Sequence, residues 1–434
     1  MTAGPVPVAV GAHVRCSRYL PVLSLLALGC TGVFQRARPD RPATHWVKAA
    51  GPELRVGAAE RDITPVVGGY MAGFSLARTS EGVASPLKAR AMVLEIGDRR
   101  FAIVGVDNLG VMREDTDWIK TGLAGFANGD VFLCASHTHA GPDLIGLWGW
   151  YFVTSGRSHE YLRQLRKAVA EAVAEARALA APATLVRGSG RLLPDGTVRN
   201  TNYGACFDRR VEVVHARAVD DGRPLGTLLH LACHPEALSR RLALISADFV
   251  GAMCDGWNAR GHGQAVFVNG ALGAMVSPRV KSKDESGARE MGAQLLGIAE
   301  AALASADPLP VDAIEVRRRD VYIPLDTFGL KLGRLTMAIP RELHQGRAHT
   351  SVGWLRIGSL QAIAMPGEPE PGFAQRVRAR TGVPDLLVFS LCDDELGYLL
   401  REQDARDREF AYERSMSACV RAGEMVEEAL VGAR

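Results

Sequence analysis

Apolar residues fall into two kinds of run along this 434-residue chain. Short runs rich in strand-forming residues predict β-strands at 91–96 and 100–106, and the Gly97-Asp98 pair between them reads as a hairpin turn. Further strands are expected from Leu54 into a turn at Pro65, and at 130–136, 211–217, 225–233, 265–269, 358–364 and 386–390. Residues 159–180 are rich in Ala, Glu, Leu and Arg, with apolar positions spaced like one face of a helix. Other helices are expected at 285–303, 372–380 and 416–431. Strands and helices alternate throughout, which predicts an α/β fold of layered mixed sheets flanked by helices, in a single domain over 53–434.

Composition adds little to that picture. The chain is 47% hydrophobic and 23% charged, enough to bury a sizeable core. A net charge of only +3, with no dense Lys/Arg stripe, argues against nucleic acid as a partner. The N-terminus is more telling. Arg15 and Arg18 precede an apolar run from Tyr19 to Leu28, then Gly29-Cys30. That run is shorter than the ~20 residues a spanning helix needs. It fits an export signal over 1–30. Its Leu-Ala-Leu-Gly-Cys ending resembles a bacterial lipoprotein box, with Ala27 where leucine is usual. A lipid on Cys30 would anchor an exported protein to the cell envelope; plain secretion is the alternative. Residues 31–52, polar and containing Pro and Arg, read as a tether. None of the later cysteines forms a C-x-x-C pair, so a cysteine zinc site is not expected. Cysteines in apolar strand-like runs are expected as buried thiols.

Four polar clusters sit at the ends of apolar strands, where functional loops are commonly built. In Ser136-His-Thr-His-Ala-Gly-Pro142, His137 and His139 are two apart, so an extended segment points both to one side. His234 closes an apolar strand ahead of Pro235, whereas His230 lies inside that strand and reads as a core histidine. Glu368 follows the 358–364 strand in Met365-Pro-Gly-Glu-Pro-Glu370, with Glu370 as its competitor. The fourth cluster is Asp394-Glu-Leu-Gly-Tyr398, with Tyr412-Glu413 beyond it. Nothing here matches H-E-x-x-H, so any metal is gathered from distant segments.

Taken in order, these clusters resemble the catalytic domain of the neutral/alkaline ceramidase family. Glu60-Arg-Asp-Ile-Thr-Pro65 with Gly69-Tyr-Met-Ala-Gly-Phe74 is similar to its opening. Ser136–Pro142, His234-Pro235, Pro366-Gly-Glu368 and Gly397-Tyr398 with Tyr412-Glu413 are similar to its later motifs. The resemblance runs from residue 54 to the end. It implies zinc held by His137, His234, Glu368 and Tyr398, with His139 and Tyr412 beside a scissile amide carbonyl and Ser277 near the reaction centre. Two histidines, a carboxylate and an open position are the usual make-up of a catalytic zinc site. Such a site activates a water and polarises the carbonyl. Asp107 and Asp248 are candidates for orienting the ligands, or else turn or capping acids.

The chain departs from the family at Asn269-Gly-Ala-Leu-Gly-Ala-Met-Val-Ser-Pro278, which lacks an expected Asp and has Arg279 in place of Asn. The substrate-loop arginine has only a loose counterpart in Arg199, and the family's immunoglobulin-like domain has none. The expected activity is therefore amide hydrolysis of an N-acyl substrate, with Leu147-Trp-Gly-Trp-Tyr-Phe-Val153 as either a lipid-facing rim or core. A metal hydrolase acting on a non-lipid amide or ester, or a non-catalytic lipoprotein binding module, are the alternatives.

Overall fold

The computed structural model describes residues 35–36, 44–150, 154–193, 196–202 and 206–433. The expected export signal, with Cys30, lies outside them. Among the described residues no helix is long and apolar enough to cross a membrane.

Two mixed sheets form the centre. The larger has nine strands, in the order Ala265–Asn269, Pro224–Leu231, Arg210–Ala218, Ala181–Arg191, Leu54–Asp62, Lys88–Ile96, Arg99–Val106 and Val131–Ala135, with Asp307–Leu309 on Ala181–Arg191. This sheet curls until its ends meet. Gly105 makes the contact possible, since a Cβ there would lie 2.5 Å from the carbonyl oxygen of Phe267. The strands Val131–Ala135 and Pro224–Leu231 therefore deliver their following loops to one place.

The second sheet carries Arg347–Ile357 and Ala313–Pro324 at its centre, with Thr44–Ala50, Leu360–Ala364 and Leu387–Phe389 among its other strands. The two sheets bury Phe101, Phe132, Val316, Leu355 and Phe389 between them. His159–Ala178 covers the outer face of the larger sheet, where alternate strand residues such as Ala91, Val93 and Val104 meet Leu165, Val169 and Val173. Asp248–Ala259 and Glu285–Ala304 cover its other half. Pro371–Thr381 and Ala422–Val431 cover the second sheet. The result is helix, sheet, sheet, helix, as the alternation of elements requires.

The expected strands all occur, within a few residues of their expected ends. Thr44–Ala50 differs from the sequence reading, which put these residues in the tether: it pairs with Ala313–Pro324 as an edge strand. Its polar, half-exposed face hid it. Three long strands, Ala313–Pro324, Arg347–Ile357 and Ala181–Arg191, were also not expected. In the first, buried Arg318 faces inward to meet Asp393, and that charge breaks the alternation of a half-buried strand. All six described cysteines are free, and five are buried.

Candidate metal centre

Each loop that reaches the site is held by its own backbone. His137 follows the buried strand Val131–Ala135 by two residues and adopts a left-handed φ of 73°. Its amide donates to Asn108 O (2.9 Å), and its Nδ1 lies 2.7 Å from Leu109 O. His234 is arranged in the same way: its amide (2.8 Å) and its Nδ1 (2.9 Å) both meet Val276 O. Glu368 pairs with Tyr398 across a short parallel bridge, so the third and fourth clusters of the sequence reading are neighbours in space.

Asn269 ties the first two loops together. Its Nδ2 donates to Ser136 O (2.9 Å) and to Cys233 O (2.8 Å), and its Oδ1 accepts from Cys233 N (3.1 Å). One buried amide thus grips the residues immediately before both His137 and His234.

The ring nitrogens of His137, His139 and His234 lie within 4.8 Å of one another, all buried. Glu368 Oε2 lies 3.0 Å from His234 Nε2 and 3.4 Å from His137 Nε2. Burial alone would raise the Glu368 pKa, but the two histidines hold it well below the carboxylate range. Burial opposes charge on His234 as well, yet Glu368 outweighs it and raises that pKa. His139 goes the other way. Burial, with His137 and His234 nearby, pushes it well below the imidazole range, so it is neutral. Neither of its ring nitrogens has a hydrogen-bond partner, and Nδ1 is 4.0 Å from Glu236. Gly73 lets the chain close over this ring: a Cβ there would lie 2.6 Å from His139 Cγ, and its φ is +97°. Phe74 then meets the ring edge-on at 4.9 Å.

These residues fit a divalent metal. The backbone carbonyls at Leu109 and Val276 accept from Nδ1, which leaves the Nε2 lone pairs of His137 and His234 aimed at a carboxylate oxygen. Two lone pairs and an anion at such distances call for a cation among them, either a proton or a metal ion. Neutral imidazoles with the second nitrogen bound to a carbonyl are the usual state of metal-ligating histidine.

The remaining expected site residues fall at varying distances from this centre. Tyr398 is buried, its ring stacked 6.5 Å from His234 and its hydroxyl donating to Met275 Sδ at 3.5 Å. Burial and then Glu368 raise its pKa. Tyr412 stands at the edge, 53% exposed and 6.2 Å from Tyr398 by ring centroids. Burial and Glu368 push its phenol up to about 12. Ser277 is buried on Val276–Pro278, opposite exposed Arg199; the contact to His234 comes from its neighbour Val276.

Asp107 and Asp248 do not touch the histidines, which removes the first of the two roles the sequence offered them. Asp107 is buried in an ion pair with Arg90 (2.7 Å) and accepts from Lys88 N. Asp248 opens the helix Asp248–Ala259 and holds Leu238 N (3.1 Å), in the loop beyond His234. The ring-orienting role falls to main-chain carbonyls. Glu370 caps the helix Pro371–Thr381 and pairs with Arg376, so Glu368 alone of the two acids serves the site. His230 is a core histidine as expected, with Nε2 on Val388 O at 2.9 Å.

Three groups at the site were not singled out as site residues from the sequence: Arg78, and Asn269 and Glu395, which stand inside stretches read for their neighbours. Arg78 donates to His139 O and lies over Phe74, with its pKa lowered to about 10 by burial. Glu395 is buried with Oε2 unpartnered, and burial, then the charge of Glu368, raise its pKa well above the carboxylate range. It lines a cleft of about 590 Å³ that begins at His137 and Glu368 and is walled mainly by Leu109, Ile145, Leu147, Trp148, Leu330 and Ile339. Leu147 and Trp148 of the aromatic run thus face the cleft, Trp150 is exposed, and 151–153 lie outside the described residues.

The sequence profile for the N-terminal part of neutral/alkaline non-lysosomal ceramidases matches residues 54–277, which contain three of the converging side chains. This chain belongs to that family. Two solved ceramidase structures share its fold. Neutral ceramidase from Pseudomonas aeruginosa is 18% identical, with a TM-score of 0.71 over 88% of this chain and 74% of that one. A ceramidase complexed with C2 is 17% identical, with a TM-score of 0.72 over the same shares. Among proteins with curated functions, none matches this sequence. A ceramidase-family hydrolase with a buried three-histidine, metal-capable centre is the firm conclusion.

Proposed function

We propose that this ceramidase-family protein is a zinc-dependent hydrolase that cleaves the amide bond of an N-acyl lipid. The observation that carries the reading is the convergence of His137 and His234 Nε2 on one Glu368 oxygen, with both Nδ1 atoms already committed to carbonyls. His137, His234 and Glu368 hold the ion, and Tyr398, packed against His234, is the fourth donor. Zinc held there supplies Lewis acidity toward a carbonyl and lowers the pKa of a water to about 7.

The chain's own residues supply the rest. His139, neutral and with free ring nitrogens, faces Glu236, and this pair moves a proton toward the departing amine. Tyr412, protonated at neutral pH, donates to the carbonyl oxygen as charge develops on it. Ser277 lies on the strand whose Val276 carbonyl anchors His234. The apolar cleft beside His137 takes an acyl chain and excludes water from the amide. By the same reading the N-terminal signal and Cys30 place the protein on the cell envelope.

The test is zinc analysis of the purified protein, coupled to a series of N-acyl amines of increasing chain length. Stoichiometric zinc and a preference for longer chains are expected. A protein that binds no zinc, or one indifferent to acyl length, would overturn the reading.

A further inference from the structure

The helix Phe328–Leu335 forms one wall of the apolar cleft, and its two faces differ in an informative way. The inward face is closely packed: Leu330 and Ile339 line the cleft, and a Cβ at Gly333 would lie 2.7 Å from Ile339 Cδ1. The outward face is apolar too. Phe328 and Leu335 are seven residues apart, two helical turns, and so share one side. They are 77% and 79% exposed, and Met337 just beyond is 79% exposed. Trp150, two residues past the cleft-lining Trp148, is 54% exposed. Large apolar side chains exposed singly are ordinary; several gathered on the rim of an apolar cleft are not.

The charge on this segment is one-sided. Residues 327–341 carry Lys331, Arg334 and Arg341 and no acidic residue. Arg341 is spent inside, on Asp394, and exposed Lys331 makes a surface pair with Asp326 at 3.3 Å. Arg334, with no ion pair among the described residues, stands beside the apolar face, and Lys331 shares its charge with Asp326 there.

We propose that this rim is a membrane-docking surface. Phe328, Leu335, Met337 and Trp150 enter the interface of an anionic bilayer, and Lys331 and Arg334 meet its phosphates. Two features select a bilayer as the occupant. The outward apolar face lies on the same eight-residue helix as cleft-lining Leu330, so a lipid tail has a short path from bilayer to cleft. The accompanying charge is basic, as in helices that lie in lipid interfaces. This contact is separate from any lipid on Cys30 and independent of the amide chemistry.

The experiment uses the full chain with Cys30→Ser, so that no lipid is attached. Its sedimentation with phosphatidylcholine vesicles containing phosphatidylglycerol is compared with that of a Phe328→Ser/Leu335→Ser/Met337→Ser variant in the same background. Removing three exposed apolar side chains leaves the core intact, and thermal unfolding verifies this. Partitioning of the triple variant is expected to fall by about tenfold or more. Lys331→Glu is expected to weaken binding to the anionic vesicles but not to phosphatidylcholine alone. Equal partitioning of parent and triple variant overturns the proposal. So does a parent that fails to bind vesicles but forms dimers which the triple variant cannot, since the face would then belong to a second copy. No substrate is present, so this outcome and that of the zinc and chain-length assay stand apart.

Discussion

His234 and Glu368 lie 134 residues apart in the chain, yet the histidine Nε2 and a carboxylate oxygen sit 3.0 Å apart with both side chains buried. Both rings facing that oxygen have their other nitrogen fixed on a carbonyl, so the pair is set for a cation. Glu368→Gln keeps the shape and removes the charge. It is expected to lower zinc affinity by more than the ~10–100-fold that loss of a ligand's hydrogen-bond partner costs. His137→Ala is expected to do the same. Competition with a chromogenic chelator measures both, and affinity equal to that of the parent protein would exclude these side chains as ligands.

Gly73 gives a way to separate His139 from the ligands. In Gly73→Ala the new Cβ meets His139 Cγ at 2.6 Å, and the φ of +97° is unfavourable for alanine. A displacement of about 1 Å at a reacting group costs on the order of 100-fold in rate. Amidase activity is expected to fall by that order while zinc content stays stoichiometric. Loss of zinc instead would make His139 a third histidine ligand.

Asn269 predicts a linked loss of stability and alignment. Asn269→Asp keeps an acceptor for Cys233 N but removes the donor to Ser136 O and Cys233 O, and sets a carboxylate against two carbonyls. Leaving buried groups unsatisfied costs on the order of 1–3 kcal/mol each. Urea unfolding is expected to show a loss of about 3 kcal/mol, with weakened zinc binding in the folded protein. A variant as stable as the parent would mean that the two histidine loops hold themselves.

Asp248 predicts a pH dependence of stability. Burial raises its carboxyl from 3.8 to about 7, against backbone N–H groups at Phe249, Leu238 and Ala237 that lower it. The folded state then keeps a proton that the unfolded chain has released. This contribution to stability is full below about pH 4 and is lost as pH rises toward 7. Asp248→Asn is expected to flatten that segment of the unfolding profile. An unchanged slope would assign it to other groups.

Much of the site could be read from sequence because its side chains sit in short motifs at strand ends. His137, His234 and Glu368 were identified in this way and do converge. The acids expected to orient them were not the ones used. Asp107 looked suitable because it ends a strand nearby, but its carboxylate is consumed by Arg90. The true partners, Leu109 O and Val276 O, are main-chain atoms, which no residue type advertises. Asn269 was hidden for a related reason: its three bonds all reach backbone from distant loops. The fold was misread where an inward charge such as Arg318, or an edge strand such as Thr44–Ala50, blurred the period.

Leu109 carries two duties on separate atoms. Its carbonyl aims the His137 ring, and its side chain faces the cleft. Any amino acid at this position offers the same carbonyl, so selection is free to redraw the cavity wall there while the imidazole stays aimed. Diet and reactivity are inherited independently at a single residue.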